Sequence, residues 1–323
     1  MIILTGGAGF IGSCMLAALN EAGRSDILVV DSLGDGTKWK NIVGTSFIDI
    51  VDKAEFRERM AIEAFDDVDA VIHLGACSST TETNADYLLD NNYRYSIDVA
   101  EFAMECGARF IYASSAATYG DGTRGYAESA SGLRPLNMYG YSKLLFDDWV
   151  KAQGLHDSCV GLRFFNVFGP NEYHKGDMRS MVSKAFDQIT ATGRVQLFAS
   201  NDPAYGDGEQ VRDFVYVKDC CNVMLELLER ADVNGLYNLG GGVATTWNDL
   251  IGAVFAAMNL EPAIDYIPMP SHLARQYQNH TCADMSLLRS ALPSMAVHPV
   301  SASVRDYVQN YLATPWPYIR TNS

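Results

Sequence analysis

Short apolar runs alternate with longer stretches of helical periodicity through the first half of the chain. The runs of strand length occupy residues 1–4, 26–30, 70–74 and 110–113. The helical patterns between them occupy residues 10–22 and 87–106. Strands that alternate with helices are typical of a parallel sheet with crossover helices. The pattern therefore predicts an α/β fold.

Weaker patterns predict smaller elements further along. These are a short strand around residues 47–49, a helix from about residue 53, a strand over 264–267 and a late helix over 303–312. With 323 residues, the chain is long enough for two domains or for one large domain with a cap.

The first apolar run ends in a glycine-rich segment. Gly6, Gly9 and Gly12 are spaced three residues apart there, and the helical pattern opens at Phe10. A strand, a glycine turn and a helix in this order present helix N–H groups to a dinucleotide pyrophosphate. Asp31 ends the next apolar run about 20 residues further on, where a carboxylate binds the adenosine ribose. A glycine turn alone also occurs in loops that bind nothing, but this context predicts a dinucleotide site.

Two further apolar runs end in loops of small and hydroxyl-bearing residues. Residues 75–81 read Gly-Ala-Cys-Ser-Ser-Thr-Thr, and residues 114–120 read Ser-Ser-Ala-Ala-Thr-Tyr-Gly. The carboxyl ends of parallel strands meet at one edge of a sheet, where open α/β sheets bind ligands. We therefore expect both loops to line a crevice, although the hydroxyls of the second loop could simply cap a helix.

Tyr139 and Lys143 are four residues apart, a spacing that places both side chains on one face of a helix. Tyrosine has an ordinary pKa of about 10, and a nearby ammonium favours its phenolate form. The pair is therefore a candidate general acid/base. In isolation it would indicate an ordinary surface pair. After a dinucleotide turn and a hydroxyl-rich strand end, we interpret it as a proton-transfer group.

The net charge of the chain indicates which classes of binding partner are to be expected. The chain has 24 lysines and arginines against 39 aspartates and glutamates, a formal net charge of −15. This balance argues against nucleic acid or an anionic membrane as a partner. A phosphorylated ligand would then depend on a few local cations, for which Lys38, Lys53, Lys175 and Arg212 are candidates.

The spacing of cysteines and histidines indicates whether disulfide bonds or a metal site are to be expected. The seven cysteines show no paired two-residue spacing, and the six histidines show no metal-ligand spacing. We therefore expect reduced thiols and no metal site. The sequence contains neither a leader pattern nor an apolar run long enough to cross a bilayer, so we expect a cytoplasmic protein.

The glycine turn and the Tyr139-x-x-x-Lys143 motif together resemble the extended short-chain dehydrogenase/reductase family, which includes nucleotide-sugar epimerases and dehydratases. Residues 212–217, Asp219 and residues 238–242 resemble later landmarks of that family, so the resemblance covers nearly the whole chain. It implies a Rossmann-type doubly wound parallel sheet with a smaller α/β substrate-binding lobe.

The implied division has two parts. Residues 1–168 and 212–240 would form an NADP-binding Rossmann domain, and residues 169–211 and 241–323 would form the substrate-binding lobe. The strand and helix within 212–240 are expected to return to the cofactor domain.

Several stretches further resemble the branch of the family that epimerises ADP-linked heptoses. They are residues 35–38, 75–82, 90–93, 164–170 and 174–176. The resemblance implies inversion at C6 of an ADP-heptose for lipopolysaccharide biosynthesis, by transient oxidation with tightly bound NADP. It also implies a homo-oligomer, for which a pentamer is one option.

The resemblance implies roles for individual residues. Ser115 would hydrogen-bond the reacting hydroxyl, Tyr139 would be the acid/base, and Lys143 would hold the ribose and lower the tyrosine pKa. Lys175 matches a second catalytic position, although it could instead bind phosphate. The implied cofactor positions are Gly6, Gly9, Phe10, Ile11, Gly12, Asp31, Ser32, Lys38, Lys53, Leu74, Gly75, Ala76, Cys77, Ser78, Asn91, Lys143, Val167 and Lys175. The implied substrate positions are Ser115, Asn166, Asp177, Lys184, Phe198, Ala199, Ser200, Asn201, Arg212 and Tyr277.

The chain departs from the pattern of that branch at a few positions. Ser32 stands where we expect Asn, Lys184 where we expect His, and Gln276 where we expect Arg. Residues 202–210 resemble an insertion. These differences fall on nucleotide contacts, whereas the proposed catalytic residues are all present.

The choice of cofactor contains a conflict. Asp31 alone predicts NAD, because a carboxylate accepts hydrogen bonds from the ribose 2′-OH and would repel a 2′-phosphate. Lys38 and Lys53 could neutralise such a phosphate, and the resemblance implies NADP. We therefore expect NADP, with some use of NAD.

Other functions stay open. The nearest is a UDP-hexose 4-epimerase of the same family. A dehydratase is less expected, since Ser115 is followed by Ala116 and Ala117 rather than by acidic residues. A non-catalytic NAD(P)-sensing protein on the same fold is the alternative from a different class. Tyr139 and Lys143 argue against it, because a sensor needs no proton-transfer pair.

Overall fold

Twelve strands and ten α-helices are assigned within the computed structural model, which describes residues 1–62, 65, 67–270 and 277–321. The strands are β1 (Ile2–Thr5), β2 (Ile27–Val30), β3 (Asp49–Val51), β4 (Ala70–His73), β5 (Arg109–Ser115), β6 (Cys159–Phe164), β7 (Asn166–Phe168), β8 (Val195–Phe198), β9 (Val211–Tyr216), β10 (Gly235–Leu239), β11 (Ala244–Thr246) and β12 (Ile264–Ile267).

The α-helices lie between and after these strands. They are α1 (Phe10–Glu21), α2 (Lys53–Ala61), α3 (Ala85–Leu88), α4 (Tyr95–Glu105), α5 (Met138–Ala152), α6 (Met181–Thr192), α7 (Val217–Glu229), α8 (Trp247–Ala257), α9 (Ser286–Ala291) and α10 (Val300–Tyr307). Short 3₁₀ segments occupy Lys38–Ile42, Ala116–Tyr119, Leu155–Asp157 and Tyr173–Met178. Two π-helical turns occupy Leu89–Arg94 and Val308–Leu312.

Some boundaries differ from the predicted ones. The helix predicted over residues 87–106 consists of α3, the π turn Leu89–Arg94 and α4, and the short strand predicted around 47–49 lies at 49–51. The late helix begins at Val300 and ends in a second π turn. A helical period read over about 20 residues does not reveal a single wider turn, because a π turn occupies only a few residues inside an α-helix.

Seven strands form one parallel sheet in the order β3-β2-β1-β4-β5-β6-β10. The chain runs outward from β1 to β3 and then returns to the other side of β1, so the order reverses between β1 and β4. In doubly wound sheets, ligands bind outside the carboxyl ends of the strands at this point. The predicted doubly wound parallel sheet is confirmed.

The remaining strands form two small sheets. In the first, β9 is parallel to β7 and antiparallel to β11. In the second, β8 and β12 are parallel. Helix α7 packs against α1, and β10 lies at the edge of the large sheet, so residues 217–239 return to it while β9 stays in the small sheet. The domain boundaries given above remain a prediction.

Successive residues of β1 point to opposite faces of the large sheet and pack into two apolar clusters. Ile2 and Leu4 belong to one cluster and Ile3 to the other, as the two-residue period of a strand requires. The first cluster also contains Leu250 of α8 and Val304 of α10, so late helices share a core with the first strand. No helix within the described ranges is long and apolar enough to cross a membrane.

Candidate active site

The glycine turn between β1 and α1 has no room for side chains. Gly6 has a φ of +69°, and a Cβ placed on it would lie 2.7 Å from the backbone nitrogen of Gly75. A Cβ on Gly12 would lie only 2.0 Å from the carbonyl oxygen of Gly6. Glycine at these positions therefore lets the turn approach both the β4 loop and the first turn of α1.

A cavity of about 550 Å³ opens beside this turn, at the carboxyl ends of β1, β2 and β4. Its lining includes every predicted cofactor position except Val167, as well as the predicted acid/base Tyr139. The bare glycine turn at a helix N-terminus and the cavity beside it fit a dinucleotide with its pyrophosphate on α1. Val167 lines a second cavity instead.

Ion pairs and hydrogen bonds organise the end of the cavity near β2. Asp31 accepts a hydrogen bond from the backbone N–H of Ala8 at 2.8 Å and forms an ion pair with Lys38. Ser32 donates to Asp52, and Lys53 donates to Asn91 at 2.6 Å. Both lysines predicted to meet a 2′-phosphate therefore line the same cavity as the carboxylate predicted to bind a ribose, and Lys38 is paired with that carboxylate.

A buried network holds the loop after β4. The Thr5 hydroxyl lies 2.7 Å from His73 Nδ1 and accepts a hydrogen bond from the Gly75 N–H at 3.0 Å. His73 Nε2 lies 2.9 Å from the Ser96 hydroxyl. Burial, with a smaller contribution from the Lys143 charge, lowers the pKa of His73 to about 3, so the imidazole is neutral at neutral pH. A neutral histidine can donate on one side and accept on the other.

Helix α5 positions the tyrosine and lysine predicted from the sequence. The Asn137 side chain accepts a hydrogen bond from the Gly140 N–H at 2.8 Å and caps the helix, so the helix begins just before Tyr139. Lys143 is 4% exposed and donates to the Ala113 carbonyl of β5 at 2.9 Å. Both side chains line the first cavity, as their four-residue spacing predicts.

Burial dominates the titration of this pair. It raises the pKa of Tyr139, while a hydrogen bond from the Ser115 hydroxyl acts in the opposite direction. Burial also lowers the pKa of Lys143 to about 8. The expected lowering of the tyrosine pKa is therefore not seen in the protein alone, because loss of solvent disfavours the phenolate more than the local hydrogen bond favours it.

Lys175 reaches the cavity from the 3₁₀ segment Tyr173–Met178. Its ammonium lies 5.5 Å from the centre of the Phe10 ring, and burial lowers its pKa. The buried Glu172 carboxylate anchors this segment by accepting hydrogen bonds from the Ser180 hydroxyl at 2.6 Å and the Tyr307 hydroxyl at 2.9 Å. Nδ1 of the neighbouring His174 lies 3.1 Å from the side-chain nitrogen of Asn41, and burial lowers the pKa of His174 to about 4.

A second cavity of about 440 Å³ adjoins the first. The residues lining both cavities are Phe10, Ile11, Ser78, Tyr139, Phe164, Lys175 and Met178. Ser115 and Asn166, two of the predicted substrate positions, also line the second cavity. Tyr139 and Lys175 therefore lie where the two cavities meet.

The other predicted substrate positions line neither of these two cavities. They are Asp177, Lys184, Phe198, Ala199, Ser200, Asn201, Arg212 and Tyr277. The Arg212 guanidinium lies close to two aromatic rings, 4.8 Å from the centre of the Tyr277 ring and 5.6 Å from that of Trp247. Gln276, where the chain departs from the expected pattern, lies outside the described residues.

Some lining residues were not selected from the sequence. Tyr87, Tyr95 and Met178 line the first cavity, and Leu136, Gln278 and Thr281 line the second. Four-residue spacing of Tyr87, Asn91 and Tyr95 could have signalled the first two. Gln278 and Thr281 reach the site from far along the chain, and no local pattern marks them. Within the described residues, no three His, Cys, Asp or Glu side chains are grouped as a metal site.

Comparison with known proteins agrees with this geometry. The sequence profile of the NAD dependent epimerase/dehydratase family matches residues 2–240. An ADP-L-glycero-D-manno-heptose-6-epimerase of Nitratidesulfovibrio vulgaris is 52% identical, over 99% of this chain and 100% of the relative. A protein of the same name from Fusobacterium nucleatum is 45% identical over 99% and 100%.

Solved structures of nucleotide-sugar epimerases are also similar to this chain. The crystal structure of the Helicobacter pylori ADP-L-glycero-D-manno-heptose-6-epimerase matches with a TM-score of 0.83 and 29% identity, covering 97% of this chain and 96% of that one. A UDP-glucose-4-epimerase from Stenotrophomonas maltophila, solved with bound NAD, matches with a TM-score of 0.78 and 26% identity, covering 94% and 96%. The chain therefore belongs to the NAD dependent epimerase/dehydratase family.

Proposed function

We propose that this protein is an isomerase that converts ADP-D-glycero-D-manno-heptose to ADP-L-glycero-D-manno-heptose by inverting C6, and so supplies heptose for lipopolysaccharide. Its full-length relatives carry the name of this activity. The observation that carries the proposal is the position of Tyr139 and Lys175, which line both cavities at their junction. A substrate in the second cavity would thus have two proton-transfer groups beside the dinucleotide cavity.

A bound nicotinamide cofactor supplies reversible hydride transfer, which takes the C6 hydride and returns it to the opposite face of the carbon. The chain itself then has to move one proton in each direction. In our proposal, the Tyr139 hydroxyl exchanges this proton with the substrate oxygen, and Ser115 hydrogen-bonds that oxygen. Lys143, fixed by the Ala113 carbonyl, holds the ribose and adds positive charge near the tyrosine.

Inversion explains why a second proton-transfer group is useful. The ketone formed from the C6 hydroxyl has to present its other face, for example by turning about the bond that joins it to the sugar ring. Its oxygen then points away from the first acid/base group. We assign Tyr139 to one orientation and Lys175 to the other. Burial lowers the pKa of Lys175, which favours the neutral amine that can accept a proton.

We further propose NADP as the preferred cofactor, with NAD as a weaker substitute. Lys38 and Lys53 both line the cavity, and Asp31 is paired with Lys38 rather than standing as an isolated negative charge. A 2′-phosphate would meet these two cations. Replacement of Lys38 by Met should therefore weaken NADP binding more than NAD binding, measured by calorimetric titration. Equal weakening would contradict the assignment.

The decisive experiment is conversion of the proposed substrate. The protein, purified without added cofactor, is incubated with ADP-D-glycero-D-manno-heptose, and the L-glycero epimer is sought by chromatography and NMR. We expect conversion without net formation of NADPH, because the hydride goes out and back. Epimerisation of a UDP-hexose instead would favour the 4-epimerase alternative. No reaction with either sugar, with cofactor still bound, would favour the sensor.

A cytoplasmic location and a homo-oligomeric state belong to the same proposal.

A further inference from the structure

Asp147 is a buried carboxylate on the same face of α5 as the proposed catalytic pair. Tyr139, Lys143 and Asp147 are spaced four residues apart, so their side chains follow one another along one face of the helix. Asp147 is 6% exposed and Lys143 is 4% exposed. An aspartate is almost never buried to this extent unless it is paired. The partners of Asp147 therefore show what the carboxylate does there.

Three donors surround the Asp147 carboxylate. Arg163 of β6 donates through Nε at 3.0 Å, and from β5 the Ser114 hydroxyl donates at 2.9 Å and the Tyr112 hydroxyl at 3.3 Å. Ser114 and Arg163 are paired across the two parallel strands. Burial raises the pKa of Asp147, while the Arg163 charge and these hydrogen bonds act against that rise. One side chain of α5 thus joins the helix to two neighbouring strands.

The same end of β5 carries the contacts of the proposed catalytic pair. The Lys143 ammonium donates to the carbonyl oxygen of Ala113 at 2.9 Å. The next residue along the strand is Ser114, which the carboxylate holds. Ser115 follows it, and its hydroxyl hydrogen-bonds Tyr139. Three consecutive residues of β5 therefore meet three residues on one face of α5.

Asp147 also acts on the charge of Lys143. Burial lowers the pKa of Lys143 to about 8, and the Asp147 carboxylate is the strongest influence in the opposite direction, ahead of the Cys77 thiol. Tyr139 on the same helix and His73 of β4 also face this lysine, and the His73 imidazole is neutral. Solvent screens a buried charge one helical turn away only weakly. The carboxylate therefore favours the ammonium form of Lys143.

We propose that Asp147 is a positioning residue of the active site, whose carboxylate fixes α5 on the end of β5 and keeps Lys143 an ammonium beside the bound cofactor. Asp147 lines neither of the two cavities, so it acts through its neighbours and not by touching a ligand. The inference rests on the role that the proposed function gives to Lys143, but not on the identity of the sugar.

Two variants separate the charge of the carboxylate from the packing of the helix. Asp147→Asn alone would leave the buried Arg163 guanidinium without its counter-charge, which is strongly destabilising. Asp147→Asn combined with Arg163→Gln instead replaces the ion pair by two neutral amides that hydrogen-bond each other. Tyr112→Phe is the matched control, because it removes one donor to the same carboxylate, keeps the charge and lines neither cavity.

The test measures NADP affinity by calorimetric titration and turnover of ADP-D-glycero-D-manno-heptose, both between pH 6 and pH 10. An ammonium attracts the anionic dinucleotide and a neutral amine does not, so both quantities should fall in the wild type above about pH 8. In the double variant we expect this fall about 1–2 pH units lower, the usual effect of losing a nearby opposite charge. Tyr112→Phe should unfold at a lower temperature but keep the wild-type pH profile.

Each outcome decides the proposal. Coincident pH profiles of the double variant and the wild type overturn it, because an ion pair that serves stability alone leaves them in place. An equal shift in Tyr112→Phe also overturns it, because the effect would then come from packing and not from charge. A wild type that binds NADP without converting the heptose contradicts the sugar assignment alone, since the affinity profile is measured without any sugar.

Discussion

Single residues in this site are defined by what surrounds them more than by their chemical type. Tyr139 and Tyr141 lie on the same helix, but Tyr139 lines both cavities whereas Tyr141 is 46% exposed. Lys143 is buried against the Ala113 carbonyl. The same two residue types would form an unremarkable surface pair if α5 were rotated, so position in the fold gives them their proposed roles.

Replacement of Tyr139 by Phe tests the proposed proton transfer directly. We expect turnover to fall by about 10²- to 10⁴-fold, the usual effect of removing a general acid/base, with cofactor still bound. Tyr141→Phe is the matched control on the same helix and should keep turnover and cofactor binding. Turnover by initial rates and bound cofactor by absorbance give the two readouts. Full activity of Tyr139→Phe would exclude it as the acid/base.

His73 makes stability depend on pH. Its pKa is about 3 in the folded protein, whereas histidine in an unfolded chain has a pKa of about 6.5. Between these values the unfolded chain binds a proton that the folded chain excludes. The stabilising contribution is therefore complete above about pH 6.5 and declines as pH falls toward 3, by up to about 1.4 kcal/mol per pH unit.

Urea unfolding at pH 7.5, 6 and 5 measures this decline. In His73→Gln, which keeps a donor and an acceptor between Thr5 and Ser96, the free energy of unfolding should depend less steeply on pH than in the wild type. His174 also has a lowered pKa, so part of the decline will persist. Parallel pH dependence of the two proteins would contradict the buried neutral state of His73.

At the scale of elements, two helical glycines have opposite environments. Gly12 lies in the first turn of α1, where an added Cβ would lie 2.0 Å from the Gly6 carbonyl oxygen. Gly252 lies within α8, where an added Cβ would meet nothing within 4 Å. Helix propensity favours alanine at both positions. Only the tertiary contact of α1 with the glycine turn reverses this preference.

Alanine substitutions at these two positions should therefore change stability in opposite directions. Gly252→Ala should raise the free energy of unfolding by about 0.5–1 kcal/mol, because alanine restricts the unfolded chain and fits the helix. Gly12→Ala should lower it by about 1–3 kcal/mol and weaken dinucleotide binding, because the turn has to shift. Denaturant unfolding and cofactor titration measure both effects. A neutral Gly12→Ala would show that the close approach is not required.

At the scale of the whole molecule, the C-terminal region supports the catalytic edge of the sheet. Tyr307 at the end of α10 donates to the buried Glu172 carboxylate, which in turn anchors the segment carrying Lys175. Burial raises the pKa of Glu172, and its hydrogen bonds act against that rise. Residues separated by more than a hundred positions thus fix one proposed proton-transfer group.

Loss of the Tyr307 hydroxyl should affect both stability and turnover. We expect Tyr307→Phe to lower the free energy of unfolding by about 1–3 kcal/mol, since it leaves a buried carboxylate short of one donor, and to reduce kcat through the Lys175 segment. Tyr266→Phe, which loses a hydrogen bond to Asn248 at a 41% exposed position, should change stability by about 0.5 kcal/mol or less. Wild-type stability of Tyr307→Phe would remove the proposed support.

The sequence by itself determined what depends on neighbours along the chain. Alternating strand and helix patterns predicted the doubly wound sheet, the glycine spacing predicted the turn before α1, and the four-residue spacing predicted that Tyr139 and Lys143 share a face. In each case the backbone geometry of one short segment sets the spacing, so the pattern carries the information. The glycine turn, Asp31 and the loop after β4 were expected at one edge because the carboxyl ends of parallel strands meet there, whereas the other cofactor positions came from the family resemblance.

Only the tertiary structure decided features built from distant segments. The pairing of Lys38 with Asp31, that of Asp147 with Arg163 and the support of Lys175 through Glu172 depend on side chains that meet by folding. The titration of Tyr139 is also of this kind, because the sequence shows the nearby lysine but not the loss of solvent, which raises the pKa of Tyr139 against the Ser115 hydrogen bond. Burial is a property of the whole packed molecule, and no local pattern specifies it.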